Sequence, residues 1–202
     1  MSAGLNATVN RKLKIDIPNV STILAPANNS ARALALDTTT QGSWIGKYGA
    51  LGYNLISTAA DPGTYASTFV TVTPSANNFY DWTNGIATTT VRALQDPTTP
   101  SNRYARTWYS DTTENFDVSF TDSSVHQIAF YVIDWDPIGR AETIRPYDGV
   151  TGLPLASAQN IAANAAFRNG EYSVWNVSGH VTFQITKTAA QNAVISGIFF
   201  QY

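Results

Sequence analysis

Short segments with strand-like patterning recur along most of this chain, and each is closed by a turn signal. That punctuation constrains the fold more than any other feature. The segments are 31–36, 53–57, 68–73, 86–94, 104–109, 116–120, 126–135, 143–147, 172–177, 180–186 and 193–201. Between them stand Asp61-Pro62-Gly63, Asn84-Gly85, Asp96-Pro97, Asp136-Pro137-Ile138-Gly139, Asp148-Gly149, Asn169-Gly170 and Ser178-Gly179. Proline presets φ, glycine supplies φ > 0, and Asp or Asn bonds its own backbone two residues on, so each cluster favours a chain reversal. Many short strands at this spacing predict an all-β fold, an antiparallel β-sandwich of jelly-roll type. The alanine-rich stretch 156–168 predicts one or two helical turns, and no long amphipathic helix is evident.

The strands differ in how they should be covered. Val181, Phe183 and Ile185 alternate with Thr182, Gln184 and Thr186, the pattern of a strand with one face to the core and one to water. Ile128 to Ile133 and Val194 to Phe200 are almost continuously apolar, which predicts central strands covered on both sides. Phe130, Val132, Val174, Phe183, Ile185, Ile195 and Phe199 form the expected core.

The length of 202 residues suits one large β domain, or a domain with an N-terminal arm. We expect an arm and linker over 1–30 and the sandwich over 31–202. Within the arm Leu13, Ile15 and Ile17 share one side of an extended segment, Pro18 ends it, and 25–30 reads as a linker. Such an arm docks either on its own domain or on the sheet edge of another copy, so a homo-oligomer built through it is one expected partner state.

Charged residues are only 13% of the chain, about half the usual share. Thr, Asn, Ser and Ala replace them, which fits an extracellular β-protein or a subunit buried in an assembly. The net charge is −2 and the basic residues are scattered, so no footprint for nucleic acid is present. No apolar run approaches the roughly 20 residues of a membrane span, and no leader peptide is legible. Cysteine is absent, which excludes disulfides and thiolate chemistry.

The stretch from Asp37 to Tyr53 spaces Trp44, Tyr48 and Tyr53 among Gly42, Gly46, Gly49 and Gly52. Large rings on a turning segment are either the lid of a core or the platform for a flat ligand. Further on come Arg106-Thr107-Trp108-Tyr109-Ser110, then Tyr131-Val132-Ile133-Asp134-Trp135-Asp136 with Arg140, and then 170–181 and 192–200. Taken in order over about 34–201, these motifs resemble a β-sandwich accessory module of large secreted bacterial proteins. The resemblance implies a jelly roll like those of galactose-binding and carbohydrate-binding modules. It also implies an extracellular or cell-surface setting within a larger secreted protein.

Several residues are candidates for a binding site. An indole face stacks on the C–H face of a sugar ring, so Trp44 with Tyr48, and Trp82 beside the turn Thr83-Asn84-Gly85, are candidate platforms. Adjacent Trp108 and Tyr109 must face opposite ways on a strand, so one of them lies outside the main core. Asp134 and Asp136 share one side of an extended segment, and Arg140 returns to them across the turn at Pro137. Their carboxylates suit sugar hydroxyls or a structural Ca²⁺, or else an ion pair that fixes the strand end. His126 and His180 show no metal-binding spacing, and no Gly-x-Ser-x-Gly elbow exists. Glu114, Glu142 and Glu171, the only glutamates, read as polar or turn residues. The expectation is a non-catalytic module without a cofactor. It binds a neutral oligosaccharide or polysaccharide through Trp44, Tyr48, Trp82, Trp108, Asp134, Asp136 and Arg140. A self-assembling structural subunit that exchanges its arm is the alternative.

Overall fold

The computed structural model describes residues 29–56, 69–75 and 78–202. The expected arm strand at 13–17 therefore lies outside the described residues. The last two residues of the expected linker do not. Asn29 Oδ1 accepts the His180 amide at 2.8 Å, and the Ser30 and Ser178 hydroxyls bond at 2.7 Å. Both residues are thus fastened to the sandwich.

Two five-stranded antiparallel sheets face each other. One contains β1 (Ser30–Ala33), β2 (Gly52–Leu55), β9 (His126–Val132), β12 (Glu171–Ser178) and β15 (Gly197–Gln201), in the order β1-β12-β9-β15-β2. The other contains β3 (Val70–Ser75), β8 (Thr113–Phe120), β10 (Ala141–Asp148), β11 (Gln159–Ile161) and β13 (His180–Ala189), in the order β11-β10-β13-β8-β3. From β8 to β10, and again from β12 to β13, the chain passes from one sheet to the other, as strands do in jelly rolls. A smaller sheet, β14-β7-β4, is formed by β4 (Asn78–Asp81), β7 (Arg106–Ser110) and β14 (Ala193–Ile195). A short pair, β5 (Leu94–Gln95) and β6 (Arg103–Tyr104), completes the strands among the described residues. The fold is the expected all-β antiparallel sandwich.

The patterned strands behave as their sequences dictate. Val181, Phe183 and Ile185 of β13 are fully buried, and their neighbours Thr182, Gln184 and Thr186 are half-exposed. The central strand β9 is covered on both faces. Ile128, Phe130 and Val132 enter the core between the sheets, while Ala129 and Tyr131, with Ile133 just past the strand end, enter a second apolar cluster on the outer face. All seven residues expected in the core are buried.

Two expectations need correction. Residues 86–93 form no strand. Ile86 is 74% and Val91 55% exposed, and this stretch runs as a loop to β5. Its Ile, Thr and Val residues have β propensity, but packing decides strand formation more than propensity does. The helical turn expected in the alanine-rich stretch is present as α1 (Ala165–Asn169), at the C-terminal end of that stretch. Asn164 caps it by accepting the Ala166 and Phe167 amides, a role that draws the helix start to that residue. The glutamates are not surface residues, because Glu114, Glu142 and Glu171 are at most 1% exposed. Glu114 falls in strand period with Phe116, Val118 and Phe120 of β8, and so points inward with them.

Candidate functional site

The segment from Asp37 to Tyr53 is a lid. Trp44 is 4% and Tyr48 7% exposed, which removes both from the set of open sugar platforms. The Trp44 ring packs 4.8 Å from Tyr53 and 5.0 Å from Phe199, and its indole N–H donates to the Gln95 carbonyl at 2.9 Å. Tyr48 stacks on Tyr172 at 4.3 Å and donates its hydroxyl to Asp37 Oδ2 at 2.9 Å. These rings form the second apolar cluster over β9, β12 and β15. Large rings on a Gly-rich segment gain more by covering a wide apolar sheet face than by standing in water.

Gly49 shows why the spacing is needed. Its φ is +78°, and a Cβ there would stand 3.0 Å from the Trp44 ring. Asp37 anchors the lid by accepting the Thr39 and Thr40 amides at 2.9 and 3.1 Å. Burial works against its ionisation, but the bonds from Thr40 and Thr39 prevail and hold the carboxyl well below the usual carboxylate range.

Trp108 is also buried, at 6%, and meets Phe116 edge-on at 5.6 Å. Its neighbour Tyr109 faces the other way, as the alternation of strand side chains requires. Thr107 and Tyr109 of β7, Tyr80 of β4 and adjacent Trp82 line one open cleft of about 590 Å³. Asp136, Arg140, Gln191 and Asn192 supply much of its polar side. Tyr80 is 51% exposed, Trp82 is half-buried, and the two rings meet edge-on at 5.9 Å.

Local sequence sets each of these groups. The Asp81 carboxylate accepts the Thr83 and Gly85 amides at 2.8 and 3.0 Å and the Arg106 Nε–H at 2.9 Å. That fixes the turn carrying Trp82. Asn84 and Gly85 both adopt positive φ there, which suits an Asn-Gly pair.

Asp134, Asp136 and Arg140 come together, but their roles differ. Asp134 is 1% exposed and accepts the amides of Ile138, Gly139 and Arg140 at 3.3, 3.0 and 3.3 Å. It also accepts from Arg140 Nη1 at 2.7 Å. This carboxylate is spent on holding the turn, and the expectation that it touches a ligand is corrected accordingly. Arg140, itself 3% exposed, donates from Nη1 and Nη2 to Asp136 and from Nε to Asn192 Oδ1 at 2.7 Å. Its guanidinium lies 5.4 Å from the Trp82 ring centre, which backs that ring.

Asp136 keeps 43% of its side chain exposed. Partial burial works against its charge, and the bond and attraction from Arg140 overcome it, so its carboxyl titrates below the usual range. A structural Ca²⁺ does not fit this pair. The guanidinium already sits between the two carboxylates, and no group of three or more candidate ligands gathers among the described residues. The cleft can therefore offer ring faces, carboxylate acceptors at Asp111 and Asp136 and side-chain amides at Gln191 and Asn192.

Tyr80, Tyr109, Gln191 and Asn192 were not singled out as ligand contacts from sequence. Tyr109 was half-legible, since one member of the Trp108–Tyr109 pair had to face outward. Gln191 and Asn192 lie at the reversal between β13 and β14, marked only by polar residues between two apolar runs.

No known family model matches this chain, and no curated protein matches it. Several solved structures do. A family 35 carbohydrate-binding module from Clostridium thermocellum aligns at 9% identity and TM-score 0.38, over 64% of this chain and 90% of that one. A pectin-binding carbohydrate-binding module aligns at 17% identity and TM-score 0.40, over 68% and 93%. TmCBM61 in complex with β-1,4-galactotriose aligns at 12% identity and TM-score 0.36, over 66% and 88%. The sandwich assignment stands on strand order and pairing, and likenesses at these scores add no weight to it.

Proposed function

We propose that this chain is a non-catalytic carbohydrate-binding module that takes a neutral glycan in the cleft of Trp82, Asp136 and Arg140. The observation that carries the reading is the make-up of that cleft. It places three partly exposed rings beside two carboxylates, Asp111 and Asp136, and two side-chain amides in one recess of about 590 Å³. Rings supply stacking surface for the C–H faces of a pyranose, and the polar groups meet its hydroxyls. The guanidinium favours no uronate in particular, because Asp134, Asp136 and Asn192 already take four bonds from it. On this reading the chain works at the cell surface or outside the cell, as one part of a larger secreted protein.

Native gels cast with a panel of neutral, acidic and cationic polysaccharides test the proposal. The intact chain should be retarded by at least one neutral polymer. Trp82→Ala should lose that retardation with its circular dichroism unchanged. Retardation by no polymer, or retardation that survives Trp82→Ala, would refute it.

A further inference from the structure

Behind β7 lies a second recess, on the face opposite the cleft. Successive side chains of a strand point to opposite sides, so Thr107 and Tyr109 face the cleft while Arg106 faces this cavity. Its volume is about 260 Å³, smaller and more enclosed than the cleft. Tyr53, Leu55, Leu94 and Tyr104 line it with mostly apolar surface. Both rings are held in place. Tyr53 packs against Trp44 at 4.8 Å, and the Arg106 guanidinium stacks 4.1 Å from the Tyr104 ring centre. Gly197 lets the leucines close on the backbone, since a Cβ there would stand 2.7 Å from Leu55 and 3.0 Å from Leu94.

Two polar groups in this wall are available to a ligand. Ser196 is 3% exposed, lines the cavity, and its hydroxyl oxygen has no hydrogen-bond partner among the described residues. Buried polar atoms are nearly always partnered in folded proteins, so an unpartnered hydroxyl facing a cavity marks a place for a ligand group. At the rim, Asp96 Oδ1 accepts from the Thr98 amide, the Thr98 hydroxyl and the Thr99 amide. Burial resists the charge of Asp96, yet those bonds outweigh it and keep the group ionised below the usual range. Its Oδ2 receives no bond from the described residues and can accept one from outside.

We propose that this cavity is a second binding site, sized for a single hexopyranose unit. The ring would lie between Tyr53 and Tyr104, with one hydroxyl on Ser196 Oγ and another on Asp96 Oδ2. A small recess with apolar walls, two fixed rings and two separated hydrogen-bonding groups matches one sugar ring, which has apolar C–H faces and a hydroxyl edge. The cavity takes a terminal unit, whereas the open cleft accommodates a chain. This inference stands on the cavity alone and does not need the cleft to bind.

Amide NMR titration of the full chain with a panel of methyl hexopyranosides tests it. Saturable shifts should appear at Leu94, Gln95 and Ser196. Ser196→Ala should weaken the affinity read at those amides about fivefold, the effect of one neutral hydrogen bond of typical strength. Pro97→Trp, a change at an exposed rim position, should block the cavity and abolish the shifts with the fold intact. Shifts confined to the cleft, near Trp82 and Asn192, would overturn this inference and leave the proposed function standing. Shifts at neither place would overturn this inference, while the polysaccharide gels decide the other separately. Cavity shifts that persist in both variants would also overturn it.

Discussion

Burying all three glutamates should make this protein less stable as the solution becomes alkaline. Glu142 is 1% exposed, and only its Oε2 has a partner, the Val194 amide at 2.8 Å. Burial pushes its carboxyl from 4.5 up to about 8, against smaller opposing effects of the Val194 bond and Arg140. Burial likewise raises Glu171 to about 7. It raises Glu114 well above the usual range, with the charge of Glu142 adding to the effect. The folded protein therefore holds these protons more tightly than the unfolded chain does. The glutamates' contribution to stability is fully present below about pH 4.5, falls as the unfolded chain loses its protons, and levels off once the folded protein has lost them too.

For Glu142 alone the rise from 4.5 to about 8 corresponds to a loss of about 5 kcal/mol across that window. In urea titrations this should lower the midpoint by about 2 M between pH 5 and pH 8. Glu142→Gln keeps a carbonyl oxygen for the Val194 amide and has no proton to lose. Its midpoint should still fall, because Glu114 and Glu171 continue to titrate, but by less than that of the wild type over the same range. A wild-type midpoint that is flat or rising from pH 5 to pH 8, or an equal slope in the variant, would refute the reasoning. At the acid end the opposite limb applies. The lowered carboxyls of Asp37, Asp81, Asp96 and Asp136 stabilise the fold above the usual aspartate range, and that contribution disappears as pH drops through their folded values.

Other changes should report on packing and on the turns. Phe183→Ala removes a fully buried ring that packs 4.7 Å from Phe130, and should cost about 3–5 kcal/mol in reversible denaturant unfolding; a change below about 1 kcal/mol would show that the ring is not in the core. Arg140→Met leaves the Asp134 carboxylate buried without its cation, and should cost about 3–5 kcal/mol, read by the same titration. Gly170→Ala places a side chain at φ +88° against the Tyr131 hydroxyl, so it should lower the thermal midpoint measurably and cost about 1–3 kcal/mol; an unchanged midpoint would mean that the turn after α1 relaxes freely.

Much of the architecture was already determined by the sequence, through signals that act over a few residues. Period-two patterning placed β13, and a continuous apolar run identified β9 as a strand covered on both sides. Asn84-Gly85 and Asn169-Gly170 marked reversals because few other residues adopt positive φ at low cost. The same local logic reaches Glu114, whose place in the β8 period implied an inward side chain. What the sequence left open was the choice between equivalent uses of one residue type. Trp44 and Trp82 are both rings beside glycine-bearing turns, but only the tertiary structure supplies the apolar sheet face that takes Trp44 as its lid. Asp134 and Asp136 are two positions apart, but backbone amides three turn residues long enclose one and leave the other at a cleft. The cleft itself joins β4, the β9–β10 turn and the β13–β14 reversal, segments more than a hundred residues apart at their extremes. No local pattern records which of them will meet. That is decided by the packing of sheets, where the burial of large apolar faces outweighs any preference of a single side chain.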